Sequence, residues 1–255
     1  MKVVLVAKPR SKPRIPIEAE TVTPRRFLEE GSITVWEGNK ERTLADLFEV
    51  TVEGETGSVD DVEIVLRGDV SRVKRIGEYM DGGRITVEGS IGMHCGNFMS
   101  GGTIEILGDA DHWLAREMRG GSIVCRGNAG HYCASGYRGE KHGMKGGSVL
   151  VLGNAGDFCA EYLAGGSVEV RGNCGDMPGV EMGGGTLVVH GDCRRAAANM
   201  RGGQCTVHGT VTGMIPSFRR TGTRVLETGS APYTVFEGDI ANRGRGSLVV
   251  RHYVY

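Results

Sequence analysis

A chain of 255 residues with 30 Lys and Arg against 31 Asp and Glu has almost no net charge, which argues against nucleic acid or an anionic membrane as its main partner. No stretch approaches the ~18 consecutive apolar residues of a membrane span, and the N-terminus lacks a signal peptide's apolar core and cleavage site. The expected address is therefore the cytoplasm. Glycine is abundant, 43 residues, but without the three-residue period of collagen.

In chain order, residues 1–58 read as an N-terminal capping segment. Val3 to Ala7 is strand-like, and the run from Pro9 to Pro16 is basic and interrupted by proline. Thr23 followed by Pro24 has the N-cap and first-turn pattern of a short helix, Pro24 to Glu30, stopped by Gly31. Ile33 to Trp36 is a second apolar strand. Thr43-Leu44-Ala45-Asp46 reads as a weak capping box for another short helix through Phe48.

From residue 59 to 212 one phrase recurs. It is clearest as Gly146-Gly147-Ser148-Val149-Leu150-Val151-Leu152-Gly153-Asn154-Ala155-Gly156. Its closing glycine falls at Gly68, Gly89, Gly108, Gly127, Gly153, Gly172, Gly191 and Gly209, in steps of about nineteen residues with one longer step after Gly127. Self-similarity at a fixed period marks a solenoid. The positions four and two before each closing glycine are apolar in every unit, from Ile64 and Leu66 to Cys205 and Val207. This period-2 alternation predicts a short strand with one buried face. Stacked ~4.8 Å apart, such strands pair in parallel with those of neighbouring units. The expected fold is all-β: a single-stranded parallel β-helix of about eight coils, right-handed by the parallel crossover rule.

Further columns fit that geometry. Met80, Met99, Met118, Met144, Met182 and Met200, with Leu163, each precede a glycine pair by two residues and read as interior fillers. Asp69, Asp109, Asn128, Asn154, Asn173 and Asp192 follow the closing glycines as turn residues whose amides can form a ladder. The glycine pairs, with Gly92, Gly130, Gly156 and Gly175, are expected at positive φ where the chain turns corners. The seven cysteines contain no Cys-x-x-Cys, so cluster and zinc-ribbon spacings are absent. They fall instead in repeat columns, as stacked buried thiols in a reducing compartment.

Chemistry is sparse. His112 and His131 share a column, as do His190 and His208, but neither pair has a recognisable third ligand for a metal. Asp157 and its equivalents read as turn-formers rather than paired acid and base. No catalytic, cofactor-binding or metal residue is assigned. Two features point to a partner. Outward strand positions are mostly polar, yet Leu107, Val124, Leu150 and Leu152 form an apolar strip, which marks a protein interface unless the tail or the N-terminal segment covers it. The long unit inserts seven extra residues within Ala134–Lys145, carrying Tyr137, Arg138 and His142; such an insertion is either a binding feature or a tolerated surface loop. Residues 213–255 form a tail ending in the strand Leu248 to Tyr255, the other cap.

On these residues the chain resembles the C subunit of formylmethanofuran dehydrogenase and, more distantly, the C-terminal β-helix domain of glutamate synthase. The Gly-Asn-Ala-Gly corners, the Met-x-Gly-Gly joints, the coil Tyr137 to Gly147 and the tail phrase Gly238 to Gly246 carry the likeness, over about residues 60–255. The resemblance implies a non-catalytic scaffold within an oxidoreductase complex that reduces carbon dioxide in methanogenesis. In that family a tungsten or molybdenum pterin, iron–sulfur clusters and a dinuclear zinc site, the last held by an amidohydrolase-like protein, belong to partner chains. None of those catalytic residues maps onto this sequence. The alternative is a β-helix subunit of a glutamate-synthase-like or formyltransferase/hydrolase complex; a β-helix with its own carboxylate or histidine site is a third.

Overall fold

The computed structural model describes residues 1–9, 15–29, 32–226 and 231–255. It is nearly all β. Within the repeat, strands Glu63–Arg67, Asp81–Val87, Gly101–Ile106, Ser122–Cys125, Ser148–Val151, Ser167–Val170, Thr186–Val189 and Gln204–Thr212 pair in parallel, each with the next, in chain order. Equivalent positions of the phrase lie side by side. Ile123 is opposite Ile104 on one side and Val149 on the other, and Val149 is opposite Val168. The one-unit step in sequence is thus a one-strand step in space, and the seven-residue insertion after Gly127 leaves the register of Ser122–Cys125 with Ser148–Val151 intact.

This register builds the core. The inward columns, from Ile64 and Leu66 to Cys205 and Val207, are 0–2% exposed, and so is the methionine column with Leu163. All seven cysteines are free thiols and buried. Burial pushes the Cys125 thiol up to about 11 and Cys193 to about 12, out of the range in which a thiol reacts. Each unit adds a few apolar side chains to one continuous interior, at roughly 1.5–3 kcal/mol per side chain as an upper bound.

The corners differ from expectation in one respect. Gly92, Gly130, Gly156 and Gly175 are not at positive φ. Space is their reason: a Cβ on Gly156 would sit 2.8 Å from the His131 backbone nitrogen of the unit before. Positive φ falls instead on the second glycine of each pair and on alternate non-glycine residues of the turn that follows, such as Trp113, Ala115 and Glu117 at 57°, 58° and 53°. Backbone hydrogen bonds between units hold that turn, among them Trp113 N–H to His131 O at 2.9 Å and Glu117 N–H to Ser135 O at 3.0 Å. They offset the left-handed cost for residues with a Cβ.

At the N-terminal end, Lys2–Ala7 pairs in parallel with Glu63–Arg67 and antiparallel with Phe48–Glu53. Helices Pro24–Glu29 and Leu44–Leu47 occur as expected, the second with the Thr43 N–H on the Asp46 carboxylate at 2.9 Å. The stop at Glu30 and Gly31, and most of the basic run from Pro9 to Pro16, lie outside the described residues. At the other end, Gly246–Val254 pairs in parallel with Gln204–Thr212 and antiparallel with Pro232–Gly238, which carries the edge strand Arg219–Val225. No helix among the described residues is long and apolar enough to cross a membrane.

Candidate functional site

The strip of four outward residues lies on one face of the sheet, in two columns. Val124 and Leu150 are direct neighbours, between Glu105 and Glu169, and are half-buried. Leu107 and Leu152 lie in the next column and stay exposed, at 45% and 40%. Between those two stands Arg126, turned toward Glu105 with its Nη2 2.6 Å from Oε1. The apolar patch is therefore narrow, and charged pairs bound it.

The turn face carries the feature that sequence reading missed. Because the residue five after the closing glycine has the same left-handed backbone in successive units, its side chains stack along the axis. His94 and Trp113 have ring centroids 5.3 Å apart, Trp113 and Tyr132 5.0 Å, and Tyr132 and Phe158 5.1 Å, all within 13° of parallel. A recurring ring at that position was the available signal. A second stack joins Tyr79 to Phe98 at 4.8 Å, and the Arg116 guanidinium lies 4.5 Å over the Phe98 ring.

The long coil folds back onto this wall. The Tyr137 ring also contacts Arg116, with the guanidinium carbon 4.8 Å from its centroid, and sits 5.8 Å from Trp113 and 6.4 Å from His94. Arg116 thereby contacts two rings, each contact worth ~0.5–2 kcal/mol. Between coil and wall lies a cavity of about 340 Å³ lined by Trp113, Tyr132, Tyr137, Arg138, Glu161 and Tyr162. Burial, then the neighbouring Glu181, pushes the Glu161 carboxyl up. Among the described residues, the Trp113 indole N–H and Arg116 Nε are buried without a hydrogen-bond partner. His142 is exposed on the same coil.

Opposite charges and amides stitch the corners. Asp109 Oδ1 accepts from the Asn128 backbone N–H at 2.7 Å, Asn128 Oδ1 from Asn154 at 2.9 Å, Asn154 Oδ1 from Asn173 at 2.8 Å, and Asn173 Oδ1 from Asp192 at 2.8 Å. Asp69 accepts from the Ser71 hydroxyl at 2.6 Å, and Ser90 takes the rung below Asp109. The histidines of the next column do similar work. His112 Nδ1 accepts from the His131 N–H, and His131 Nδ1 from the Asp157 N–H, both at 2.9 Å. His190 and His208 stack at 4.8 Å, with His190 on Glu169 and His208 on the Tyr233 hydroxyl. Among the described residues, no three His, Cys, Asp or Glu side chains converge as a metal site.

No family model matches the chain. It is 40% identical over 98 residues to the C subunit of molybdenum-containing formylmethanofuran dehydrogenase 1 from Methanosarcina barkeri, a match covering 36% of this chain and 32% of that protein. It is 36% identical over 97 residues to the C subunit of tungsten-containing formylmethanofuran dehydrogenase 2 from Methanothermobacter thermautotrophicus, covering 36% of each. The matched segment thus spans about a third of these relatives' length. In fold, a chain from the crystal structure of the formyltransferase/hydrolase complex FhcABCD of Methylorubrum extorquens, in complex with methylofuran, superposes with a TM-score of 0.85 at 26% identity, over 97% of this chain and 98% of that one. The likeness to the C subunit of formylmethanofuran dehydrogenase carried by the repeat phrases is thereby borne out, in sequence over about a third of the chain.

Proposed function

We propose that this chain is a non-catalytic scaffold subunit of a formylmethanofuran dehydrogenase complex. Residues 59–212 wind as a single-stranded, right-handed parallel β-helix, and residues 1–58 and 213–255 close its two ends. Parallel pairing in sequence order at a nineteen-residue step supports the winding. The identity with the C subunits of both the molybdenum and the tungsten enzymes carries the functional reading. In this reading the pterin, the clusters and the zinc reside on the companion subunits, in the cytoplasm, and no residue here is assigned to them. Leu107, Val124, Leu150 and Leu152, with Tyr137, Arg138 and His142 on the turn face, form the surfaces offered to those companions.

A second reading, a subunit of a formyltransferase/hydrolase complex, is favoured by the fold match over nearly the whole chain. Purification of the tagged chain from its native source separates the two. Co-elution with pterin- and cluster-bearing dehydrogenase subunits supports the first; formyltransferase and hydrolase companions without them support the second. Activity of the isolated chain counts against both. For the contact surface, Leu150→Glu is expected to weaken assembly more than it lowers the chain's own melting temperature. Unchanged assembly beside a large loss of melting temperature would reject the strip as an interface.

A further inference from the structure

The large sheet does not close on itself, and its two edges differ in charge. Its order begins at Arg219–Val225 and ends at Phe48–Glu53; among the described residues each of these strands has one neighbour, leaving a free row of backbone N–H and C=O groups. Free edges template the addition of another strand. The N-terminal edge presents Glu49 and Glu53, and the C-terminal edge Arg219, Arg220 and Arg224, all exposed.

The charges also match in position. Glu49 and Glu53 are opposite Val6 and Lys2 and therefore share one face, four ladder positions apart. A bulge between Arg220 and Gly222 brings Arg219 opposite Glu237 and Arg224 opposite Tyr233, again four ladder positions apart on one face. Following the pairings across the sheet, from Thr51 through Val4, Val65, Thr86, Glu105, Val124, Leu150, Glu169, Val188, Thr206 and Val249 to Val235, puts the glutamates and these two arginines on the same outer face. The other face of each edge carries exposed valine: Val50 and Val52 at 38% and 54%, and Val225 at 61%. Val50 and Val52 also line an apolar cavity of about 240 Å³ with Phe27, Ile33 and Leu44. Of the neighbouring charges, Lys2 turns to Glu63, while at the basic edge Glu237 already pairs with Arg219, so Arg224 is the outer-face cation there without a carboxylate partner among the described residues.

We propose that a second copy of this chain docks edge to edge, its Arg219–Val225 strand pairing antiparallel with Phe48–Glu53. Glu49 then faces Arg224, Glu53 faces Arg219, and Thr223 and Val225 come to the side of Val50 and Val52. Two acidic or two basic edges repel, so the pairing is head-to-tail. Such a contact is heterologous and extends the sheet from copy to copy unless a rotation closes it into a ring.

Light scattering of the full chain after size exclusion tests this. The mass is expected to rise with concentration above the 27.2 kDa monomer and to return to it in about 1 M salt, where the screening length is about 3 Å. The doubles Glu49→Lys with Glu53→Lys, and Arg219→Glu with Arg224→Glu, each leave two edges of one sign and should each be monomeric; mixed, they should reassemble. Circular dichroism checks that both are folded. A wild-type monomer at every concentration overturns the proposal, and so does assembly that survives reversal of one edge or folded variants that fail to reassemble when mixed.

Discussion

The regular units and the long unit share one strand phrase and one register, yet they leave very different room. In a regular corner the second glycine of the pair is pressed against the unit before. A Cβ on Gly121 would meet Gly102 O at 2.7 Å and Met99 Cε at 2.7 Å, with φ at 81°. In the long coil, Gly139 has a similar φ of 92° and nothing within 4 Å. The stack therefore dictates residues where units touch, and leaves the chain free to vary where seven residues leave the stack and return without disturbing the rungs on either side.

The sharpest way to break this contrast is a pair of alanines. Gly121→Ala combines a left-handed strain of ~1–3 kcal/mol with overpacking of ~1–3 kcal/mol, so a loss of about 4 kcal/mol is expected in denaturant unfolding. Gly139→Ala carries the backbone cost alone, about 1 kcal/mol. Equal losses at the two sites would mean that contact between units is not what distinguishes them.

A smaller effect sharpens the corner itself. Asn128 Oδ1 accepts the Asn154 backbone N–H at 2.9 Å, across the very step that contains the insertion. Asn128→Ala removes this solvent-exposed hydrogen bond and should cost about 1 kcal/mol. Asn128→Asp keeps the acceptor oxygen but loses the amide that donates to Asp109 at 3.1 Å, and places a carboxylate beside another. Its loss should shrink in high salt, whereas the alanine's should not. Salt-insensitive, equal losses would remove the ladder as the explanation.

The same contrast governs what could be read from residues alone. Val149 and Val151 were legible as interior because alternation of two needs no partner to interpret. Asn128 and Asn154 were legible as a ladder because the period brings them together. The left-handed turn through Trp113, Ala115 and Glu117 was not, because hydrogen bonds from the adjacent unit impose it on residues that do not prefer it. Gly156 was misjudged for the matching reason: it looked like a bend but answers to a neighbour's backbone. Tyr137 was visible as an aromatic in an insertion, but its place over Arg116 depends on where the coil lands. The antiparallel hairpin of the tail, Arg219–Val225 with Pro232–Gly238, carries no repeat and stood outside the pattern altogether.

His94 is where the two regions meet, and it gives the smallest test. It stacks on Trp113, takes the Asn97 amide at 3.0 Å on Nδ1, and lies 6.4 Å from Tyr137 of the coil. Burial first, then Arg116, Arg75 and Lys74, with Glu18 opposing, pull its pKa from 6.5 down to about 4. An unfolded chain therefore binds a proton near pH 6.5 that the folded chain refuses until about pH 4, so its contribution is full above 6.5 and is lost as pH falls toward 4. With the ring partly open to solvent, the loss is about 1 kcal/mol down to about pH 5. His94→Asn tolerates the left-handed backbone at φ 68° and cannot titrate in this range. Its stability will start lower for want of the stack, but it should fall less steeply between about pH 6.5 and 5 than wild type. Parallel curves would mean that His94 titrates as it does in water, and that the coil does not seal the wall it rests on.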